Sequence, residues 1–246
     1  MNISLCIPNY ERIEILIDSF IKVLNDDRIS EIVIMDDNSS NYANIKLALD
    51  GLSNNKIKLY KQDINLGTFF NKLECVKKAE NEYIILLDSD NIIDVTYIDK
   101  IYQTDWSKNK LISPERLIHH EHNMWNEKGI FIKYTKFNGV RIDKAFCKKH
   151  FLDGGDLLDV LLNTGNFFVN KESYIKSFDI NTFNRDVDIC DVGFFNYLFL
   201  SSNETNYIEV CPDLEYTHRV HQGSYYMNNS SKSGNQINIL KNIFTQ

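Results

Sequence analysis

Short apolar runs alternate with helically spaced apolar positions along the first third of the chain. Ile3 to Ile7 has the length and apolar content of a strand, and Ile13, Leu16, Ile17, Phe20, Ile21 and Leu24 then recur at helical spacing. Glu31 to Met35 supplies a second strand rich in β-branched residues, a turn follows at Asp36 to Ser40, and a weaker helical pattern covers Tyr42 to Leu52. Lys56 to Tyr60, Thr68 to Ala79 and Tyr83 to Leu87 continue the series as strand, helix and strand. Strands separated by helices predict an α/β fold with an open, doubly wound, mainly parallel sheet. Ligands of such sheets bind beyond the carboxyl ends of the strands, where Pro8 to Glu11, Asp36 to Asn38 and Asp88 to Asn91 all fall.

After Asp90 the pattern changes. A helix is predicted near Val95 to Gln103, then an irregular, aromatic-rich stretch to about Phe151, then a strand at Gly165 to Asn170. A further helix opens near Asp191 with Val192, Phe194, Phe195, Leu198 and Phe199 on it, and the tail from Gly223 to Gly234 is rich in Ser, Asn and Gly. This half reads as mixed α+β. No repeat, linker or composition break divides the chain, so residues 1–246 are expected to form a single domain with halves 1–91 and 92–246.

Composition narrows the function classes. A content of 43% hydrophobic and 25% charged residues is that of an ordinary globular protein. The net charge of -7 argues against nucleic acid as a partner, because binding a phosphate backbone needs a surplus of Lys and Arg. Cys6, Cys75, Cys147, Cys190 and Cys211 are odd in number and contain no C-x-x-C pair, which fits a reducing cytoplasm better than a disulfide scaffold or zinc ribbon. The first twenty residues read as a strand feeding a helix rather than as a secretory leader. No run of about 18 apolar residues is present to span a membrane, which leaves peripheral membrane contact as the remaining option.

The strand YIILL runs into Asp88-Ser89-Asp90. Two carboxylates at the end of a buried strand repel each other unless a cation neutralises them. Oxygen ligands of this kind suit Mg or Mn, which keep coordination positions for phosphate. Alone, a D-x-D match also fits a solvated turn.

Its context is more specific. IPNYER after the first strand, IMDDNSS after the second, NLG before the third helix and YIILLDSDN after the fourth strand together resemble family two glycosyltransferases of the GT-A fold. The departures are Glu11 where Asn is common, Asn38 for a Gly, Lys72 in the place of an Arg, and Asn91 after the metal motif. The resemblance implies a metal-dependent inverting transferase that moves a sugar from a nucleotide-diphosphate sugar, above all a UDP-sugar, to an acceptor hydroxyl. On that reading residues 1–91 are the nucleotide-binding half and 92–246 the acceptor side. Pro8, Tyr10 and Glu11 shape the nucleoside pocket, and Asp37 accepts hydrogen bonds from base or ribose, although it also suits an Asx turn. Lys72, Asp88 and Ser89 face the diphosphate, and Asp88 and Asp90 hold Mn or Mg. Lys at position 72 offers a point charge where Arg offers a fork.

The resemblance also requires a general base, for which Asp186, Asp188 and Asp191 compete. Asp191 is preferred because it opens an apolar helix, Asp188 is the alternative, and a carboxylate there also suits a helix amino cap. NTGNFFVNKESY resembles the strand lining the donor-sugar and acceptor region, with Gly165 permitting close backbone approach. THRVHQGSYY resembles the R-x-H-x-x-S signature, giving Arg219 a place at the diphosphate and His221 a place on the metal, with His218 as its local rival. His119, His120 and His122 around Glu121 make a weak zinc site, better read as a loop near the acceptor. Lys144, Lys148 and Lys149 with Phe146 and Phe151 suit either a solvated helix face or an anionic membrane surface. By analogy such a protein works at the inner face of a bacterial cell membrane, on a saccharide acceptor that can be lipid-linked, in O-antigen or capsule synthesis. The rival readings are a sugar-phosphate nucleotidyltransferase, which needs a Gly-rich first loop that IPNYER lacks, and a metal-dependent carbohydrate-binding module.

Overall fold

The computed structural model describes residues 1–119, 129–183, 185–221 and 225–246. The predicted alternation is present: β1 (Ile3–Asn9), α1 (Leu16–Phe20), β2 (Ile29–Asp36), α2 (Tyr42–Asp50), β3 (Ile57–Lys61), α3 (Thr68–Lys78) and β4 (Tyr83–Leu86). β1 pairs in parallel with both β2 and β4, and β2 with β3, so these strands lie in the order β3-β2-β1-β4. The first helix is shorter than its apolar spacing suggests and passes into a single 3-10 turn at Ile21–Val23. Buried Ser19 turns its hydroxyl back onto the Leu16 carbonyl at 2.6 Å, a local bond that competes with regular helix, and the neighbouring isoleucines add β-branched crowding.

The second half continues with α4 (Val95–Tyr102), β5 (Lys110–His119), β6 (Gly129–Lys133), α5 (Lys144–Leu152), α6 (Leu157–Leu162), β7 (Phe168–Asn170), α7 (Lys171–Ser177), α8 (Asp191–Ser202), β8 (Tyr207–His218) and α9 (Tyr225–Thr245). Asp94, Asp143 and Asn170 cap α4, α5 and α7 by accepting the backbone N–H of Thr96, Phe146 and Ser173 at 2.8 to 3.0 Å. β7 enters antiparallel to both β4 and β5, joining the parallel unit to a mixed one. β8 lies parallel along β5, and β6 antiparallel on its distal half.

Two expectations are corrected here. The stretch to Phe151 is not irregular, since it carries β5, β6 and α5, and β8 went unanticipated. Both long strands contain a proline, Pro114 and Pro212, which ordinarily demotes a strand reading. The ladder accommodates them by a register shift between Pro114 and Arg116, opposite the positive φ of Asp213. The predicted strand at Gly165 to Asn170 is trimmed to Phe168–Asn170 because Asn166 takes a left-handed conformation, φ 64°.

One apolar cluster runs through both halves, from Phe20 and Phe69 to Phe199 and Phe244. α8 is buried almost all round, as its uniformly apolar sequence demands. Phe167 stacks on Phe195 at 5.4 Å and Tyr174 on Phe195 at 4.2 Å, making an aromatic floor beneath the carboxyl ends of the strands. The five cysteines are free and buried. Among the described residues no helix is long and apolar enough to cross a membrane. Phe146 and Phe151, expected to contribute to a membrane face, are partly buried against the core, with Phe151 5.6 Å from Phe244. Lys148 and Lys149 are exposed, and Lys148 donates to the Gln246 carbonyl at 3.1 Å.

Candidate functional site

The loops at the carboxyl ends of β1, β2 and β4 are tied to one another. Asp36 at the end of β2 accepts from Ser39 N–H at 2.8 Å, Ser39 Oγ at 2.6 Å and Asn9 Nδ2 at 3.1 Å, which closes the turn. Asn38 supplies the positive φ of 63° for which the family pattern uses Gly; Asn tolerates that region through its short polar side chain. Glu11, itself at φ 56°, accepts from the Ser40 N–H at 2.6 Å and donates its own N–H to Ser39 Oγ at 2.7 Å. Asp37 reaches the loop before α3 and accepts from the N–H groups of Leu66 at 2.7 Å and Gly67 at 2.9 Å. Exposed Glu11 and buried Asp37 thus tie the loops of this edge together. Pro8 is buried in β1 opposite Met35, while Tyr10 stands 48% exposed above that edge.

Asp88 follows β4, and its N–H donates to Asn166 Oδ1 at 2.8 Å. A Cβ on Gly165 would lie 2.8 Å from Asp88 Oδ2, which is the close backbone approach expected of that glycine. Asp88 Oδ1 lies 2.9 Å from Lys72 Nζ, and the same ammonium lies 2.6 Å from Asp191 Oδ2. Lys72 is buried on α3 and Asp191 is buried at the start of α8. The structure therefore brings Lys72, Asp88 and Asp191 together. Burial favours a neutral amine, yet Asp191 and Asp88 hold the Lys72 pKa above its ordinary value, so the group stays charged. Burial pushes the Asp191 carboxyl up; Lys72 opposes this and the charge of Asp88 adds to it.

Asp188 is occupied differently. Its Oδ1 accepts the Phe69 N–H at 3.0 Å, in the first turn of α3. The side chain of Asp186 lies outside the described residues.

Asp90 Oδ2 lies 3.1 Å from Arg12 Nη2 and 3.3 Å from His221 Nε2, and Arg12 Nη1 donates to buried Ser89 Oγ at 3.2 Å. Burial works against the Asp90 charge, but Arg12 foremost and then His221 hold its carboxyl well below the usual range. Arg219 is more remote: its N–H donates to Asn91 Oδ1 at 3.2 Å and its guanidinium lies 3.3 Å from Asp18. His218 Nδ1 lies 3.1 Å from the same Asn91 oxygen, and burial lowers its pKa. His119 pairs with His218 across β5 and β8, while His120, Glu121 and His122 lie outside the described residues.

Carboxylate and imidazole at Asp88, Asp90 and His221 are the donor types a hard divalent cation takes, and Asp90 is ionised as a ligand must be. Among the described residues no three His, Cys, Asp or Glu side chains are gathered as a cage, and the nearest cations to Asp90 and Asp88 are Arg12 and Lys72. Arg12 and Asn166 escaped the sequence reading. Arg12 closes the IPNYER motif and Asn166 lies within NTGNFFVNKESY, but neither motif shows that these side chains would meet Asp90 and Asp88.

Comparison with known proteins bears on this arrangement. The model for glycosyl transferase family 2 matches residues 4–156. No curated protein matches the chain. Among solved structures it is similar to S. aureus TarS 1-349 in complex with UDP-GlcNAc, with TM-score 0.67 and 15% identity over 99% of this chain and 66% of that one. It is likewise similar to S. aureus TarS 1-349 in complex with UDP, at TM-score 0.62 and 15% identity over 98% and 65% of the two chains. A further S. aureus TarS 1-349 structure gives TM-score 0.61 and 16% identity over 89% and 60%. The chain thus spans about 60 to 66% of the length of these structures, and the likeness is one of fold. Since the family match begins in β1 and runs past α5, across β1 to β4 and the D-x-D loop, the chain belongs to glycosyl transferase family 2 and has a GT-A fold.

Proposed function

We propose that this protein transfers a sugar from a nucleotide-diphosphate sugar, preferentially a UDP-sugar, to an acceptor hydroxyl with inversion at the anomeric carbon. The observation that carries the reading is the joining of Asp88 and Asp191 through one buried ammonium at the carboxyl edge of the sheet. The complexes of TarS with UDP and UDP-GlcNAc support a uridine donor for a chain of the same fold. The exposed ring of Tyr10 offers a face to the base, while buried Asp37 holds the neighbouring loop through the N–H groups of Leu66 and Gly67.

In this mechanism Asp191 accepts the proton of the acceptor hydroxyl as its oxygen attacks the anomeric carbon, and the bond to the nucleoside diphosphate breaks on the opposite face. A carboxylate whose burial raises its proton affinity suits that task. Asp88, Asp90 and His221 would hold a Mn or Mg ion, whose charge offsets that of the departing diphosphate. Arg12 lies against Asp90 and Ser89 and supplies a fixed positive charge at the same edge. The acceptor is proposed to be a saccharide, lipid-linked in the bacterial surface-polysaccharide setting, at the cytoplasmic membrane face. Exposed Lys148 and Lys149 on α5 support an electrostatic contact with such a surface, without the partly buried rings.

The test is a thermal shift with UDP in the presence of Mn or of a chelator. A ligand bound only by the native state at a hundred times its Kd raises stability by about 2.7 kcal/mol. Stabilisation should require the metal and should disappear in Asp90→Ala with the fold retained. Equal UDP binding in chelator would remove the metal from the reading, and no UDP binding under any condition would remove the donor.

A further inference from the structure

We propose that Lys72 is a positioning residue for the reaction: it holds Asp191 in place by bridging it to Asp88, and does not itself clamp the diphosphate. This rests on the reading of Asp191 as the proton acceptor. The ammonium is 2.6 Å from one carboxylate and 2.9 Å from the other, and one carboxylate comes from each half of the chain. Around it stand Phe69, Leu86, Phe167, Tyr174, Val192 and Phe195, an apolar and aromatic wall. A side chain so enclosed has little freedom to swing towards a ligand, and its ammonium lies within ion-pair distance of two carboxylates.

The bridge has a mechanical consequence. Asp88 is held independently through its backbone N–H on Asn166, and its carboxylate lies where only a glycine at position 165 leaves room. The Asp191 carboxylate has a local tie to the Val192 N–H, and the lysine adds the link that sets its position relative to Asp88. Without the cation, the buried Asp191 carboxylate would face the part-exposed Asp88 carboxylate beside an apolar floor, and their repulsion would push Asp191 away from the position it holds here. A lysine suits this junction better than the arginine usual in the family pattern, because a compact ammonium fits between two oxygens inside a packed wall where a planar fork needs more room.

The inference predicts a split between turnover and donor binding. Lys72→Met, which keeps length but removes charge, should lower kcat by roughly a hundredfold, the low end for a lost acid-base contribution, while the donor KM and UDP affinity change less than about threefold. A diphosphate clamp would do the reverse, weakening UDP binding first. The second measurement is a double-mutant cycle with Asp191→Asn. If Lys72 acts through Asp191, Lys72→Met should cost almost nothing more in that background. If Lys72→Met folds poorly, as its thermal midpoint will show, Lys72→Gln carries the same comparison with a polar head. Normal kcat in the Lys72 variants, a dominant loss of UDP affinity, or full additivity with Asp191→Asn would each overturn the inference. A fully active Asp191→Asn would instead overturn the base assignment itself, which keeps the two failures apart.

Discussion

Asp188 and Asp191 are three residues apart and are used in different ways. Asp188 accepts a backbone N–H at the start of α3, as a capping residue supplied from a distant part of the chain. Asp188→Ala is therefore expected to lower stability by about 1 kcal/mol, the usual cost of a lost cap, measured by urea denaturation. Asp188→Asn keeps an acceptor oxygen and should retain transfer, whereas Asp191→Asn should lose roughly a hundred- to ten-thousandfold with UDP binding preserved. A dead Asp188→Asn beside an active Asp191→Asn would exchange the two roles. The carboxylates were legible in the sequence because a strand ending in D-x-D and an acidic residue opening an apolar helix are local patterns. Arg12 was not, since its partners Ser89 and Asp90 are more than seventy positions away and no periodicity marks a loop cation. Lys72 was legible as a candidate but not in its partners, for the same reason.

At the scale of elements, α9 is the clearest case of tertiary contacts overriding composition. A run rich in Ser, Asn and Gly reads as a tail, yet Tyr225–Thr245 is helical. Leu240 sits against Gly193, where an added Cβ would meet its Cδ2 at 2.7 Å. Phe244 stands edge-on to Tyr197 at 5.2 Å, and Lys241 pairs with Asp159 at 2.8 Å. Most helix stability in proteins comes from such packing rather than from propensity. Leu240→Ala should cost about 2 to 5 kcal/mol, read as a lower urea midpoint. Because Gly193 is two residues from Asp191, the same variant should also lower transfer, which an α9 independent of the site would not do. Strands β1 to β4, by contrast, were legible throughout, being short apolar runs bounded by turn residues. β5 and β8 were hidden by prolines that only the bulged pairing between them makes tolerable.

Across the whole molecule, residues 1–91 and 92–246 share one apolar cluster, and α3, the loop after β4 and the start of α8 meet at the Lys72 bridge. Unfolding is expected to be one transition. Trp106, packed on Tyr83 and Phe168, should report the same urea midpoint by fluorescence as the far-ultraviolet circular dichroism of the whole chain. Two separated midpoints would show halves that unfold independently. The place of β7 also has a consequence for how the chain is made. It lies between β4 and β5 in the sheet, yet it is translated after both. While the ribosome completes the intervening helices, β4 has an unfilled edge, and β5 lacks both β7 and β8 until still later. Two apolar strands with open edges can pair directly with each other or with another nascent chain. β7 must then arrive as an inserted strand that displaces any such premature pairing, and its three-residue length makes that exchange involve few hydrogen bonds.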